Sequence, residues 1–385
     1  RCVDSVTEAM NRKVAATVAA GQGDEPRFTM NRTLRLDDGR HWSVRHANPC
    51  PPDEKVRALG PLDTAIGILR LDRADGGGTL AVLFHFACHP LWADAKNRIS
   101  ANYPGGAIRV LEDALPGATA IFLQGAAGDV IDRGFKNFEI DRGKYIEAMG
   151  NGLGLSTLKA LRELRPAPCA EPLAFRSRTV RLPRRLDIQA KIDALEAEAR
   201  TLRAQLRSSP LNFRSFLPLY LKYRLNGEFP LDYAFQYLAD ERPGAGALRE
   251  MDAVNHAILD KYLGNIRVME QLTRLEDRLE TFRFHQKLNT DSGRDDVGAE
   301  INALRIGDFV LVTSPAEMLT RTALDLKAVS PWRNTFMMAY CNGYVHYGAP
   351  AEDYEADGYE VTECMLAPGW QQIYESAAAE LLQEL

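Results

Sequence analysis

Apolar residues recur at spacings of three and four over residues 3–19 (Val3, Val6, Met10, Val14, Val18). This is the period of one helix face, and Gly21 and Gly23 follow where such a helix would stop. Downstream the period changes. Residues 66–71 and 80–88 are short apolar runs separated by Gly76-Gly77-Gly78, which predicts two strands joined by a hairpin loop. His89-Pro90 ends the second strand, because proline cannot donate to the ladder. Residues 24–60 are polar and turn-rich, with the run Asn48-Pro49-Cys50-Pro51-Pro52. Then come a predicted helix after Gly105-Gly106, a strand at 119–123, a turn at 125–129, a helix over about 141–164 and a strand near 173–182. The alternation predicts an α/β fold, a mixed twisted sheet flanked by helices.

From 185 to 288 the texture is helical and charged. Ile188, Ile192, Leu195, Ala199, Leu202 and Leu206 form one stripe, and Val268, Leu272, Leu275, Leu279 and Phe282 form another. Each is shorter than the three to four heptads of an independent coiled coil, so an antiparallel helical pair inserted into the domain is the reading; a dimer zipper is the alternative. After it the α/β pattern returns: a strand at 309–313, a helix from Met318, a strand at 335–340, a Tyr-rich loop, and a closing helix from about 369. Residues 1–184 and 289–385 are thus expected to form one α/β domain interrupted by the 185–288 insertion.

Composition adds bounds. The 385 residues carry 47 Lys+Arg against 52 Asp+Glu, a formal net charge of −5, with 45% hydrophobic and 26% charged residues. That is a globular composition, and it gives no electrostatic reason to expect a nucleic acid partner. No stretch approaches the eighteen apolar residues of a membrane helix. Six scattered Cys show no paired spacing for a zinc knuckle or disulfide framework. The chain begins Arg1-Cys2-Val3-Asp4 rather than with Met.

Several residues could carry chemistry. His89 sits at a strand end, where side chains leave the sheet; His85 shares its face, but about 13 Å apart along the strand they cannot bind one ion together. Both can equally be core histidines. Ser314-Pro315-Ala316-Glu317 reads as a capping box, with Ser314 as N-cap and Glu317 at the third position, or as a carboxylate placed to hold a metal. In Asn342-Gly343-Tyr344-Val345-His346-Tyr347, an extended chain puts Tyr344 and His346 on one face, and Val345 and Tyr347 on the other. Residue types alone select His89, His346 and Glu317 as a two-His, one-carboxylate zinc site. Tyr354 and Tyr359 could donate to a developing oxyanion or simply pack. Arg32 and Asp129 could be a surface charge and a turn carboxylate.

Taken in order, these segments resemble the catalytic domain of the neutral/alkaline, non-lysosomal ceramidases. The matching pieces are Asn31-Arg32-Thr33, Phe86-Ala87-Cys88-His89-Pro90, Ser100-Ala101-Asn102-Tyr103-Pro104-Gly105, Ala127-Gly128-Asp129-Val130, Pro315-Ala316-Glu317, Asn342-Gly343-Tyr344-x-x-Tyr347 and Tyr354-x-x-x-x-Tyr359-Glu360. The resemblance implies a zinc-dependent hydrolase that cleaves an N-acyl amide with metal-activated water. It makes His89, Glu317 and Tyr347 ligands of Zn2+, with Tyr347 replacing His346. Tyr359 becomes the oxyanion-stabilising phenol and Arg32 a positioning group in the cleft.

The family's first zinc His, and a second catalytic His beside it, lie in a Thr-His-Thr-His-Ser-Gly stretch upstream of the segment that begins this chain. The expectation is therefore an N-terminally truncated chain that binds zinc weakly and is inactive by itself. The implied substrate is a small-molecule or lipid amide, and a secreted or periplasmic location follows if a signal peptide precedes Arg1. The competing expectation is a non-catalytic descendant that binds a partner through the helical insertion.

Overall fold

The computed structural model describes residues 1–45, 50–91, 98–135, 137, 139–169, 173–225 and 247–385. The Asn48-Pro49 part of the proline-rich run lies outside them. The chain divides into two compact units, Arg1–Leu186 with Gly293–Leu385, and Asp187–Ser292.

The first unit is α/β. Strands β1 (Ala16–Asp24), β6 (Ala65–Arg73), β7 (Thr79–Phe86) and β8 (Thr119–Gln124) form one sheet in the order β1-β6-β7-β8, with β7 and β8 parallel. Strands β10 (Leu173–Pro183), β11 (Asp296–Ile306), β12 (Phe309–Thr313) and β14 (Asn334–Met338) form a second, in which β12 and β14 are parallel. The mixed sheet is therefore two four-stranded sheets. They pack on each other through Leu69, Leu123, Phe309, Leu311 and Phe336. The outer face of the first is covered by α2 (Asn102–Ala114) and α3 (Arg142–Leu161), around Phe84, Phe86, Tyr103 and Met149. Helix α9 (Trp370–Gln383) packs on β10 and β11.

The Gly76–Gly78 segment joins β6 and β7 as an antiparallel hairpin, with φ of 81° at Gly76 and 92° at Gly78. Two other expectations give way. Residues 3–19 are not one helix: α1 ends at Asn11, and Val14 and Val18 belong to the approach and interior of β1. Nine antiparallel pairs with β6 outweigh the local helical spacing. Gly21 and Gly23, read as a helix stop, are strand positions where α3 comes close; a Cβ on Gly21 would lie 2.4 Å from Leu164. Likewise Gly105 and Gly106 lie inside α2, not before it, and Gly106 rests against Gly150 of α3.

Residues 24–60, read as turns, also hold short strands: β2 (Thr29–Asn31), β3 (Thr33–Leu36), β4 (His41–Ser43) and β5 (Val56–Leu59). Strand β2 pairs with β9 (Val130–Asp132), and β3 pairs with both β4 and β5.

The second unit holds α4 (Ile188–Gln205), α5 (Phe213–Leu225) and the long α6 (Ala247–Ser292). The two predicted stripes meet in one core of Ile188, Ile192, Leu195, Ala199 and Leu202 against Leu275, Leu279 and Phe282. Contacts of Gln189 with Gln286, Glu196 with Arg283 and Arg203 with Glu276 run in opposite directions along the helices, so the pair is antiparallel. Helix α5, which the stripes did not announce, packs Phe216 and Tyr223 against Leu259 of α6.

Candidate functional site

The candidate residues gather beyond the carboxyl ends of the two parallel pairs, where an α/β sheet leaves a crevice. His89 follows β7, the Gly125–Asp129 turn follows β8, Glu317 follows β12 and Tyr340 follows β14. Backbone bonds lace these loops together: Ala339 N–H donates to Gln124 O at 3.0 Å, and Gly128 N–H to Met318 O at 2.8 Å. Gly128 permits that approach, since a Cβ there would stand 2.7 Å from the Glu317 carbonyl oxygen.

Glu317 is not a capping residue. Helix α7 (Thr320–Val329) starts three residues later, and the Ser314 hydroxyl accepts from Ala316 N–H in a tight turn. Asp129 accepts from the Thr320 N–H instead, so a distant carboxylate satisfies the helix start. Glu317 lies on β13 (Glu317–Met318), paired in parallel with β15 (Tyr347–Gly348), which registers Glu317 directly against Tyr347.

His89 and Glu317 meet. His89 Nε2 lies 3.1 Å from Glu317 Oε2, and both side chains are mostly buried. His89 Nδ1 is buried and meets no hydrogen-bonding partner. Tyr340 Oη donates to the same Oε2 at 3.2 Å, while Tyr344 Oη donates to Oε1. Burial pushes the Glu317 carboxyl up, but hydrogen bonds from His89 and Tyr344 outweigh it and hold the pKa at about 2. His85 faces elsewhere: its Nε2–H donates to Met337 O at 2.8 Å and its ring packs on Phe336. Burial and Lys327 push its imidazole down to about 4, as befits a core histidine.

Arg32 lies between β2 and β3 and is buried, not a surface charge. Its Nε donates to Glu360 Oε1 at 2.9 Å, and its Nη2 to Gly128 O at 2.8 Å and Tyr347 Oη at 3.0 Å. Burial works against its charge, yet Glu360 and Tyr347 keep the guanidinium protonated. Burial pushes the Tyr347 phenol well above its ordinary range, and Arg32 offsets only part of that rise. Tyr359 opens helix α8 (Tyr359–Glu363); its ring meets Tyr347 edge-on at 5.5 Å and lies under Arg45 at 3.8 Å. Tyr354 is a packing residue whose phenol donates to Leu366 O.

In the Tyr-rich loop, Val345 and Tyr347 are buried while Tyr344 is exposed, as alternation predicts. The His346 ring meets that of Tyr344 at 5.1 Å in a tilted arrangement, and its carbonyl oxygen accepts from Glu317 N–H. Sequence reasoning assigns no role to Tyr340, Glu360 or Ser43, whose hydroxyl donates to Glu360. The one available cue was Glu360 beside Tyr359 in a matched motif.

Among the described residues an apolar groove of about 920 Å³ lies on the β2–β5 side, walled by Met30, Leu34, Val44, Val56, Ile131 and Phe135. Met30 and Leu34, which wall this groove, come two residues before and after Arg32, whose own side chain reaches Glu360, Gly128 and Tyr347.

The donor set fits a zinc ion. Two ligand-type atoms from opposite ends of the sequence face each other at 3.1 Å, close to the roughly 3.3 Å edge of a tetrahedral zinc–nitrogen–oxygen shell. A phenol, Tyr347, is in register beside them.

No protein-family model matches the chain, and no curated protein matches it in sequence. Solved structures do match in fold. Neutral ceramidase from Pseudomonas aeruginosa aligns with a TM-score of 0.54 at 17% identity, over 99% of this chain and 54% of that one. A ceramidase complexed with C2 aligns with a TM-score of 0.54 at 16% identity, over 98% and 55%. The chain spans about half the length of these two structures, and its fold is ceramidase-like.

Proposed function

We propose that this chain carries the active centre of a ceramidase-like zinc hydrolase that cleaves an N-acyl amide. The observation that carries the reading is the meeting of His89 Nε2 with Glu317 Oε2 at 3.1 Å, with Tyr347 in register and Arg32 on its phenol. His89, Glu317 and Tyr347 would hold the ion. Bound there, zinc would lower the pKa of a water towards neutrality and polarise a carbonyl.

The remaining groups have distinct tasks. Arg32, fixed by Glu360 and the Gly128 carbonyl, presents positive charge to the Tyr347 oxygen and favours its deprotonated form. Tyr359 keeps its proton, because burial raises its pKa, and so can donate to the oxygen that gains charge as the amide carbon becomes tetrahedral. The apolar groove walled by Met30 and Leu34, near Arg32 in sequence, would take an apolar chain attached to the scissile bond, which makes a lipid amide the favoured substrate.

Zinc content after dialysis, measured with fatty-acid release from N-acyl sphingosine and from short N-acyl amides, tests the reading. Bound zinc that disappears in His89→Ala and Glu317→Ala, with acyl release falling alongside it, is the expected result. Zinc content unchanged by both substitutions would overturn it.

A further inference from the structure

Tyr340 stands out by position. Its phenol oxygen lies 3.2 Å from Glu317 Oε2, the same oxygen that His89 Nε2 approaches at 3.1 Å. Three donor atoms thus converge on one point. Tyr344, by contrast, engages the other oxygen, Oε1. A carboxylate that offers Oε2 to an ion keeps its hydrogen bond from Tyr344, whereas Tyr340 and His89 both stand where that ion would be.

The backbone at Tyr340 is unusual. The residue lies two positions beyond the parallel strand β14 with φ 60°, a left-handed conformation that glycine or asparagine adopts far more cheaply than a bulky aromatic residue. Asn342 and His346 also have φ 60°, and Gly343 has φ 143°. The loop is pinned through Cys341 N–H, which donates to Ser314 O at 2.8 Å. Strain held in place by such bonds is characteristic of functional sites. Here it directs a phenol onto Glu317.

We infer that Tyr340 is a further ligand of the metal centre, its oxygen joining His89 Nε2 and Glu317 Oε2 on one ion. The inference rests on the zinc reading of the site and adds a donor to it. Ligation would require the Tyr340 phenol to give up its proton to solvent, while His89 would bind through Nε2 as a neutral imidazole with its ring proton on Nδ1.

Zinc alone, titrated by chelator competition, tests it on the intact chain. Tyr340→Phe is expected to weaken binding at least tenfold, and more than Tyr344→Phe. Tyr340→His is expected to recover affinity, because imidazole can ligate and a phenyl ring cannot. Copper(II) alone supplies a second readout: a phenolate-to-copper charge-transfer band that persists in Tyr347→Phe and vanishes in the Tyr340→Phe/Tyr347→Phe double variant. That band decides the matter if Tyr340→Phe fails to fold. Wild-type zinc affinity in Tyr340→Phe, with His89→Ala abolishing binding, or absence of the band in Tyr347→Phe, would overturn the inference and leave the zinc reading standing. No zinc binding by the wild type would overturn both.

Discussion

Two carboxylates anchor opposite sides of the site, and they are neutralised differently. Glu360 is buried in an ion pair with Arg32, and Ser43 donates to its other oxygen. Glu317 is also mostly buried, yet its partners are His89 and the phenols Tyr340, Tyr344 and Tyr347, and no Lys or Arg pairs with it among the described residues. Hydrogen bonds from His89 and the phenols, rather than a Lys or Arg counter-ion, stabilise this carboxylate. Glu360 is therefore engaged in holding Arg32 in place, whereas Glu317 has no such counter-ion among the described residues and, on the proposed reading, would offer its charge to a cation.

The comparison breaks most sharply under charge removal. Glu360→Gln leaves the Arg32 guanidinium buried without its counter-ion, which typically costs about 3–5 kcal/mol of stability. Glu317→Gln strands no cation, so its stability should change by less than about 1 kcal/mol, while zinc affinity should fall by more than about 100-fold. Denaturant melts and chelator competition on both variants read the two effects. Equal losses of stability would make Glu317 a structural carboxylate and remove the distinction.

A third carboxylate sharpens it. Asp353 is buried beside His41, whose Nδ1 lies 3.6 Å away, but without a strong counter-ion. Burial pushes its pKa up to about 6, against the pull of Arg35 and with help from Glu352, Asp129 and Glu360. The folded protein therefore binds a proton there between about pH 4 and 6 that the unfolded chain has already released. Its contribution to stability is full below pH 4 and declines as pH rises through 6. Asp353→Asn removes that loss, and at pH 7 it should stabilise the protein by up to about 3 kcal/mol, with the gain vanishing near pH 4. Urea melts across that range measure the difference, and a gain that does not vary with pH would mean that the carboxylate is not the cause.

The same contrast explains what could be read from the sequence. The hairpin around Gly76–Gly78, the strand at 309–313 and the stripes of the helical unit follow local periodicity, because each buries one apolar face against a neighbour. The errors fall where distant partners decide. Val14 and Val18 have helical spacing with Val6 and Met10, but β6 supplies a ladder that a solvent-exposed helix cannot match. Ser314 and Glu317 have capping-box spacing, but Asp129 takes over the helix start. Of the site residues, those in matched motifs were legible as a set. Tyr340 was not, since neither its left-handed backbone nor its aim at Glu317 leaves any spacing to detect.

Ser43 offers the mildest test. Its hydroxyl donates to Glu360 Oε2, the oxygen that Arg32 leaves free, and the residue is buried on β4. Ser43→Ala removes one hydrogen bond to a charged group without removing either ion, which by analogy with such bonds costs about 1.5–3 kcal/mol. The Arg32–Glu360 pair remains, so Arg32 should still reach Tyr347 and zinc affinity should stay within about threefold of the wild type. A loss of zinc binding as large as that of Glu317→Gln would mean that the two sides of the site are not separable. Glu360 would then influence zinc binding through Arg32 and Tyr347 as strongly as the proposed ligand Glu317.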